Sequence, residues 1–524
     1  MHSAAAHTRR DPAAAADSIL TFPPDSLPPW TAGHAAFRDQ VRAFADAHLT
    51  HDVIDDAERE GRAAKSLMRA SYAAGLFSMR APVSLGGTPP AAVVAGAPFD
   101  RLYDVMLVSE LMRATGCMGL VTELIGNFGM VLPLLQAFAT DAMTKEIIGP
   151  MVRAEIRMCF AVTEPPMPPP ASDASAAAAA ASSATAASAS AAGPARSSSS
   201  SASSPTPRLR PRGPPPLRTT ATLSADGRSY VVRGAKMYIS FGKGSDYILT
   251  AVQIKRPRRD ASTAADAGGE SSVDERAPPS LSLLLIPSTA AGVSITDLPL
   301  TGWSSTSTCR ITFRDVVVPA SALVVDGSLS PEVALQLRSL MQSNVNQERF
   351  VTGVMAAAAA RVCWEDALRF ARGKSTGKGA RLIDSPAIRE SIVLMAARSI
   401  AVESMVVQAA LMLTHTDQED ARIAGKTDAL EPTSSCSPSS DARTHRASAA
   451  SALRMVALLK MESSLALEDA CSAAGKILGA AALVRGGTGS GARIERIRRD
   501  APVNAAAGGG EHTLLEFVAK QAKL

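Results

Sequence analysis

Aromatic residues are scarce in this chain, 4% of 524 positions with 3 tryptophans and 5 tyrosines, and beside abundant alanine that scarcity argues for closely packed helices over a β-sandwich. The 6 cysteines, Cys117, Cys159, Cys309, Cys363, Cys436 and Cys471, show no Cys-x-x-Cys spacing. They therefore suggest neither a zinc site nor a disulfide framework and fit a reducing compartment. Of the 8 histidines only His48 and His51 lie close together in the packed part, an i, i+3 pair without a third ligand, so no metal site is expected. No run of about eighteen apolar residues stands out, and no membrane span is expected. A large excess of one charge is missing too: 54 Lys and Arg against 49 Asp and Glu give a net +5 spread along the chain. Basic clusters at Arg208–Arg212 and Lys255–Arg259 lie among prolines or near low-complexity sequence without aromatic partners. They read as solvated loop charge rather than a nucleic-acid surface.

What is present is enough apolar sequence, 46%, for a sizeable core, and one segment with the best helix-forming composition of the chain, residues 331–374. At helical spacing Val345, Phe350, Val351, Val354, Met355, Ala358, Val362, Leu368 and Phe370 make a wide apolar surface. Glu348 and Arg349 stand just before its most apolar part. A carboxylate there is expected to lose solvent and have its pKa raised, as a general base for a weakly acidic C–H requires. Periodicity alone favours the plainer reading, a solvated charge pair on a helix surface.

Taken in order, residues 1–29 read as a disordered segment, with Arg9 and Arg10 beside Asp11 and Asp17 making a weak transit peptide. Residues 30–156 read as a helical domain, opening with two helices between Trp30 and Ala74 and crossing at Gly75 to Pro82. At Arg157 the pattern turns to strands, and residues 157–325 read as a barrel-like β domain with a hairpin turn at Ala225-Asp226-Gly227. Proline, serine and alanine runs near 166–216 and a polar stretch near 256–279 interrupt it as insertions too poor in apolar surface to order. Residues 331–524 read as a helical bundle with a further insertion near 414–446. The fold class is α+β, mostly helical: helices, then a β domain, then helices.

That layout and its motifs resemble the acyl-CoA dehydrogenase family over roughly residues 31–524, insertions aside. Phe160-Ala-Val162-Thr163-Glu-Pro165 resembles the family segment that lies along the flavin. Ala171-Ser172-Asp173 resembles the Gly-Ser-Asp that completes it, with a spacer three residues longer; Ser172 would there meet a cofactor phosphate and the substrate. Lys236-Met-Tyr238-Ile-Ser240 is similar to the family's Lys-Met-Trp-Ile-Thr, whose aromatic ring packs on the isoalloxazine and whose hydroxyl bonds near its reactive nitrogen. Gly302-Trp303 and Phe313-Arg-Asp-Val-Val-Val-Pro319 resemble the end of the β domain. In place of the family's Arg-x-x-Phe-Gly stands Gly373-Lys374-Ser-Thr-Gly377, where Lys374 keeps the charge but not the bidentate geometry. Lys476-Ile-Leu-Gly479-Ala480 stands for Gln-Ile-Phe-Gly-Gly, so that Lys476 and Gly479 would serve the cofactor.

The family takes its catalytic glutamate from one of two places. Near the C terminus this chain has Gly508-Gly509-Gly510, with no acid before the turn, whereas Gln347-Glu348-Arg349-Phe350 is similar to the long-chain and isovaleryl-type branch. The resemblance thus implies Glu348 as base with Arg349 beside the substrate, Gly508 and Gly509 amides for the developing oxyanion, and FAD as hydride acceptor. It also implies an acyl-CoA substrate, an electron-transferring flavoprotein as partner and a homotetramer. Glu164 or Glu511 is next in line as base. A catalytically impaired homologue acting in binding or assembly, and an acyl-CoA oxidase, are the alternatives. The mitochondrial matrix is the location the family implies, while Ala522-Lys523-Leu524 resembles a peroxisomal tripeptide.

Overall fold

The computed structural model describes residues 29–166, 217–256, 281–377, 379–423 and 438–522. Its first unit opens with three helices where two were expected: α1 (Ala32–His48), α2 (His51–Glu60) and α3 (Lys65–Ala73). The extra break follows from local chemistry. Thr50 caps α2 by accepting from the Val53 amide, and Gly61 ends it with a left-handed backbone, φ 72°. Helices α4 (Leu102–Thr115), α5 (Met118–Met130) and α6 (Leu132–Phe138) follow, α4 being buried almost all round. A shorter helical stretch at 141–152 leads to the sheet, as the sequence suggested.

The central unit is a mixed sheet of eight strands: β1 (Met158–Ala161), β2 (Thr220–Leu223), β3 (Ser229–Ile239), β4 (Tyr247–Lys255), β5 (Leu281–Pro287), β6 (Val293–Asp297), β7 (Cys309–Pro319) and β8 (Leu323–Asp326). Strands β2 and β3 form the expected hairpin, with Gly227 at φ 69°. Strand β4 carries β1 and β2 in parallel and β5 antiparallel on its other edge. Among the described residues the path runs from β6 to β8 with no pairing between those two, so the compact β unit expected is present as a mixed sheet. Strand β8 was missed because four residues after Pro319 are too few to show alternation.

The last unit is built on α7 (Pro331–Gly373), which packs against α8 (Pro386–Ile423), α9 (Pro438–Leu478) and α10 (Gly489–Ala506) before α11 (Glu511–Ala522). Ser330 caps α7 through the Val333 amide and Pro331 fills its first position. The small side chains of Ala356–Ala360 are all buried, and a Cβ built at Gly353 would stand 3.1 Å from Leu459 Cγ, so α9 comes unusually close to this face. Both α8 and α9 run into the insertion expected at 414–446, of which 424–437 lies outside the described residues, as do most of the insertions expected near 166–216 and 256–279. The expected absence of any apolar span is also revised: Pro386–Asp420 is long and apolar enough to cross a membrane by length and composition, though here it packs on α7 and α9.

One acid joins the three units. Asp500 on α10 accepts from the amides of Met118 at 2.8 Å and Gly119 at 3.4 Å, at the start of α5, and of Trp303 at 2.6 Å, after β6. It is fully buried, and burial raises its carboxyl to about 6 against those same hydrogen bonds.

Candidate active site

Between the three units lies a cavity of about 310 Å³. One wall is the β domain, with Phe160, Val162, Thr163, Tyr238, Ser240 and Trp303. Opposite, α7 contributes Glu348, and α4 and α5 supply apolar side chains such as Leu107, Val108 and Ile125. Residues nearly two hundred positions apart in sequence therefore face a single space.

The β wall is held by a buried ion pair. Lys236, wholly buried, donates to the Val162 carbonyl at 3.1 Å and to Glu164 at 3.0 Å. Glu164 also accepts from the Thr219 amide and hydroxyl, at 2.8 and 2.7 Å, and the Arg218 amide at 2.8 Å. Burial works to raise the Glu164 carboxyl, but these bonds and the lysine hold it down at about 2. An acid so fully engaged cannot take a proton near neutrality, so Glu164 is a clamp and not a reserve base. Burial in turn lowers Lys236 to about 8. The clamp fixes the segment ending at Thr163, whose carbonyl accepts from the Met237 amide at 2.8 Å.

Next to that bond the β3–β7 register slips between Lys236 and Ile239, and Tyr238 takes φ 60°. A bulge of this kind re-aims a side chain. Tyr238 is 57% exposed, an unusual position for an aromatic ring on a sheet, and lines the cavity. Trp303, also at positive φ (53°), is buried there with an indole Nε1 that has no hydrogen-bond partner. An open aromatic face, the Thr163 and Ser240 hydroxyls and an unsatisfied N–H in one wall fit the edge and face of an isoalloxazine ring.

Glu348 is half-buried and lines the cavity. Burial raises its carboxyl above the usual range, opposed by the charges of Lys460 and Arg349 and by a hydrogen bond from the Gly508 backbone. Among the described residues no ion pair joins Glu348 to Arg349, so the solvated charge pair is excluded. Arg349 is turned the other way: it donates to the Gly508 carbonyl at 2.8 Å and to Asn346 at 3.3 Å, and its guanidinium lies 5.0 Å from the centre of the Phe517 ring. The role expected for Arg349 beside the substrate is therefore corrected to one behind the acid, since the cavity lining includes Glu348 and not Arg349.

Gly508 and Gly509 adopt φ 69° and 111°, and a Cβ on Gly508 would stand 3.2 Å from Arg349 Cγ, so the turn requires glycine. Gly509 does not provide the expected oxyanion donor, because its amide bonds to the Ala506 carbonyl at 3.2 Å. Gly508 is the amide that reaches the acid. Glu511 is exposed at the start of α11, away from the cavity lining. Lys374, Lys476 and Gly479 are exposed and also outside it, while Ser172 lies outside the described residues. Sequence reasoning missed Lys460, a wholly buried cation whose only signal was a lysine inside the apolar run Ala457-Leu-Leu-Lys460-Met461. It also missed Asp500.

Two family models match the chain, the acyl-CoA dehydrogenase N-terminal domain over residues 31–155 and the C-terminal domain over residues 338–426. The acyl-CoA dehydrogenase AFT10-1 of Alternaria alternata is 22% identical over 92% of this chain and 90% of its own length. A probable acyl-CoA dehydrogenase from Mycobacterium abscessus superimposes with a TM-score of 0.64 at 20% identity, covering 94% of this chain and 99% of that one. An acyl-CoA dehydrogenase from Bacillus anthracis complexed with FAD gives a TM-score of 0.64 at 17% identity, over 96% of this chain and 68% of that one.

Proposed function

This chain belongs to the acyl-CoA dehydrogenase family of FAD-dependent oxidoreductases, and from that membership we propose that it removes hydrogen from Cα and Cβ of an acyl-CoA thioester to give the trans-2-enoyl-CoA. The observation that carries the reading is that Glu348, half-buried, lines the same cavity as Thr163, Tyr238 and Ser240. FAD, when bound, supplies the acceptor for the β-hydrogen and its electron pair. The chain supplies the rest. Glu348 takes the α-proton; its raised carboxyl is matched to a weak carbon acid better than an exposed glutamate would be. The Gly508 backbone bonds to Glu348 and so helps fix where the acid sits on the cavity wall. The apolar walls at Leu107, Val108 and Ile125 take the acyl chain and exclude water.

Residues Lys374, Lys476 and Gly479, exposed and away from the cavity, suit a cofactor site completed by another subunit. The exposed apolar side chains of Val393, Leu394 and Leu411 on α8 suit the tetramer this requires. Electrons leave to an electron-transferring flavoprotein, and the mitochondrial matrix is the proposed location, with a peroxisome-type organelle as the alternative from residues 522–524.

Anaerobic titration of the yellow holoprotein with acyl-CoAs of graded length tests the proposal. Bleaching of the flavin band by at least one chain length is expected, with reoxidation by the electron-transferring flavoprotein; a spectrum unmoved by every acyl-CoA overturns it, and peroxide formed with oxygen alone reassigns the enzyme as an oxidase. Tyr238→Ala is expected to weaken FAD binding about three- to tenfold, the worth of one aromatic face, by flavin fluorescence titration.

A further inference from the structure

A lysine with no surface exposure is rare, and Lys460 is one. Its ammonium has three donors and meets three acceptors: Ser464 Oγ at 2.9 Å, the Asn504 carbonyl at 2.7 Å and the Ala505 carbonyl at 3.5 Å. The latter two are in the last turn of α10, where a cation is favoured by the helix dipole. No ion pair is formed with a carboxylate among the described residues. The cation is thus held in place by neutral groups, and its charge stays free to act on its surroundings.

Those surroundings are the catalytic turn. Asn504, whose carbonyl Lys460 holds, donates through Nδ2 to the Thr352 carbonyl at 3.3 Å, and Thr352 Oγ1 donates to the Glu348 carbonyl at 2.7 Å. From the other side, the end of α10 leads within a few residues to Gly508, which bonds to Glu348 and accepts from Arg349. A Cβ built on Gly353 would lie 3.5 Å from Lys460 Cα, so the two helices meet at this level.

We propose that Lys460 is a positioning residue for Glu348: its buried ammonium anchors the end of α10, which sets the Gly508 turn beside the acid, and its positive charge favours the carboxylate form of Glu348. This inference rests on Glu348 being the base. The other charges around the acid do not replace it. Arg349 also acts on the acid through its charge, second to Lys460, with its guanidinium turned to the Gly508 carbonyl and the Phe517 ring, while Arg80 and Asp104, which line the same cavity, are bonded to each other, at 2.9 Å through Arg80 Nε. Glu468 acts on Lys460 from its own helix. Burial lowers Lys460 to about 8 while Glu348 works to raise it, so the two charges sustain one another.

The test is a pH titration of Glu348 by infrared difference spectroscopy on the FAD-loaded protein, with the protonated carboxyl stretch assigned by its loss in Glu348→Gln. In Lys460→Met the midpoint is expected to rise by about one pH unit or more, because removing a nearby positive charge favours the neutral acid. The acidic limb of kcat/KM should move up with it, while Lys460→Arg keeps the wild-type midpoint. If Lys460→Met does not fold, Lys460→Gln, which still donates to the Asn504 carbonyl, is used instead. An unchanged midpoint in a folded, FAD-containing neutral variant overturns the proposal. Activity retained in Glu348→Gln is a different failure, that of the base assignment itself.

Discussion

Glu348→Gln is expected to slow flavin reduction by acyl-CoA about 10²- to 10⁴-fold, the range a general base supplies, with FAD content retained. The amide has nearly the shape of the acid and accepts a hydrogen bond from Gly508 as before, but it has no basic oxygen for the α-proton. The thermal midpoint should not fall, because the change removes an acid whose ionisation burial opposes. Stopped-flow reduction under anaerobic conditions, with protein-bound flavin measured separately, separates loss of chemistry from loss of cofactor. No neighbour can take over: Glu164 is clamped at about 2 by Thr219, Arg218 and Lys236, and Glu511 lies at the exposed start of α11.

Asp500→Ala should cost about 3–5 kcal/mol of stability, since three amides from two other units lose a buried acceptor, at about 1–3 kcal/mol for each group left unpaired. The cavity should suffer with the fold, because Trp303, which lines it, is held by that carboxylate and Gly302 sits against the Arg499 carbonyl with no room for a Cβ. Asp500→Asn, keeping one oxygen, should recover part of the loss. The pH dependence has a definite sign. The folded carboxyl, at about 6, lies above the 3.8 of the unfolded chain, so the native state binds the extra proton between those values. The stability this contributes is complete below the lower value and is lost as pH rises through the upper one. The gap between wild type and Asp500→Ala, read by denaturant unfolding, should therefore be wider at acid pH than at neutral.

The order helices, sheet, helices was legible because each unit carries its own period, and α7 was legible nearly to its last residue because Ser330-Pro331 and Gly373 mark its ends. The acid was legible for a different reason, its place before Arg349 at the edge of an apolar face. Side-chain direction was not. Glu348 and Arg349 are adjacent in sequence, yet about 100° apart around the helix, and only packing against the Gly508 turn and Phe517 decides which one faces the cavity. The same limit hid Lys460, since the carbonyls that make its burial tolerable come from the end of another helix. Alternation revealed the strands of the β unit but not whether the outer two meet, which among the described residues they do not.

The most direct measurement separates proton removal from hydride loss. An acyl-CoA with sulfur in place of the β-carbon has an acidic α-position but no β-hydrogen to give, so α-proton exchange can be followed in heavy water by mass spectrometry. Wild-type holoprotein is expected to exchange the α-hydrogens and Glu348→Gln to leave them in place. Exchange at the wild-type rate in the variant would contradict the assignment of Glu348 as the base.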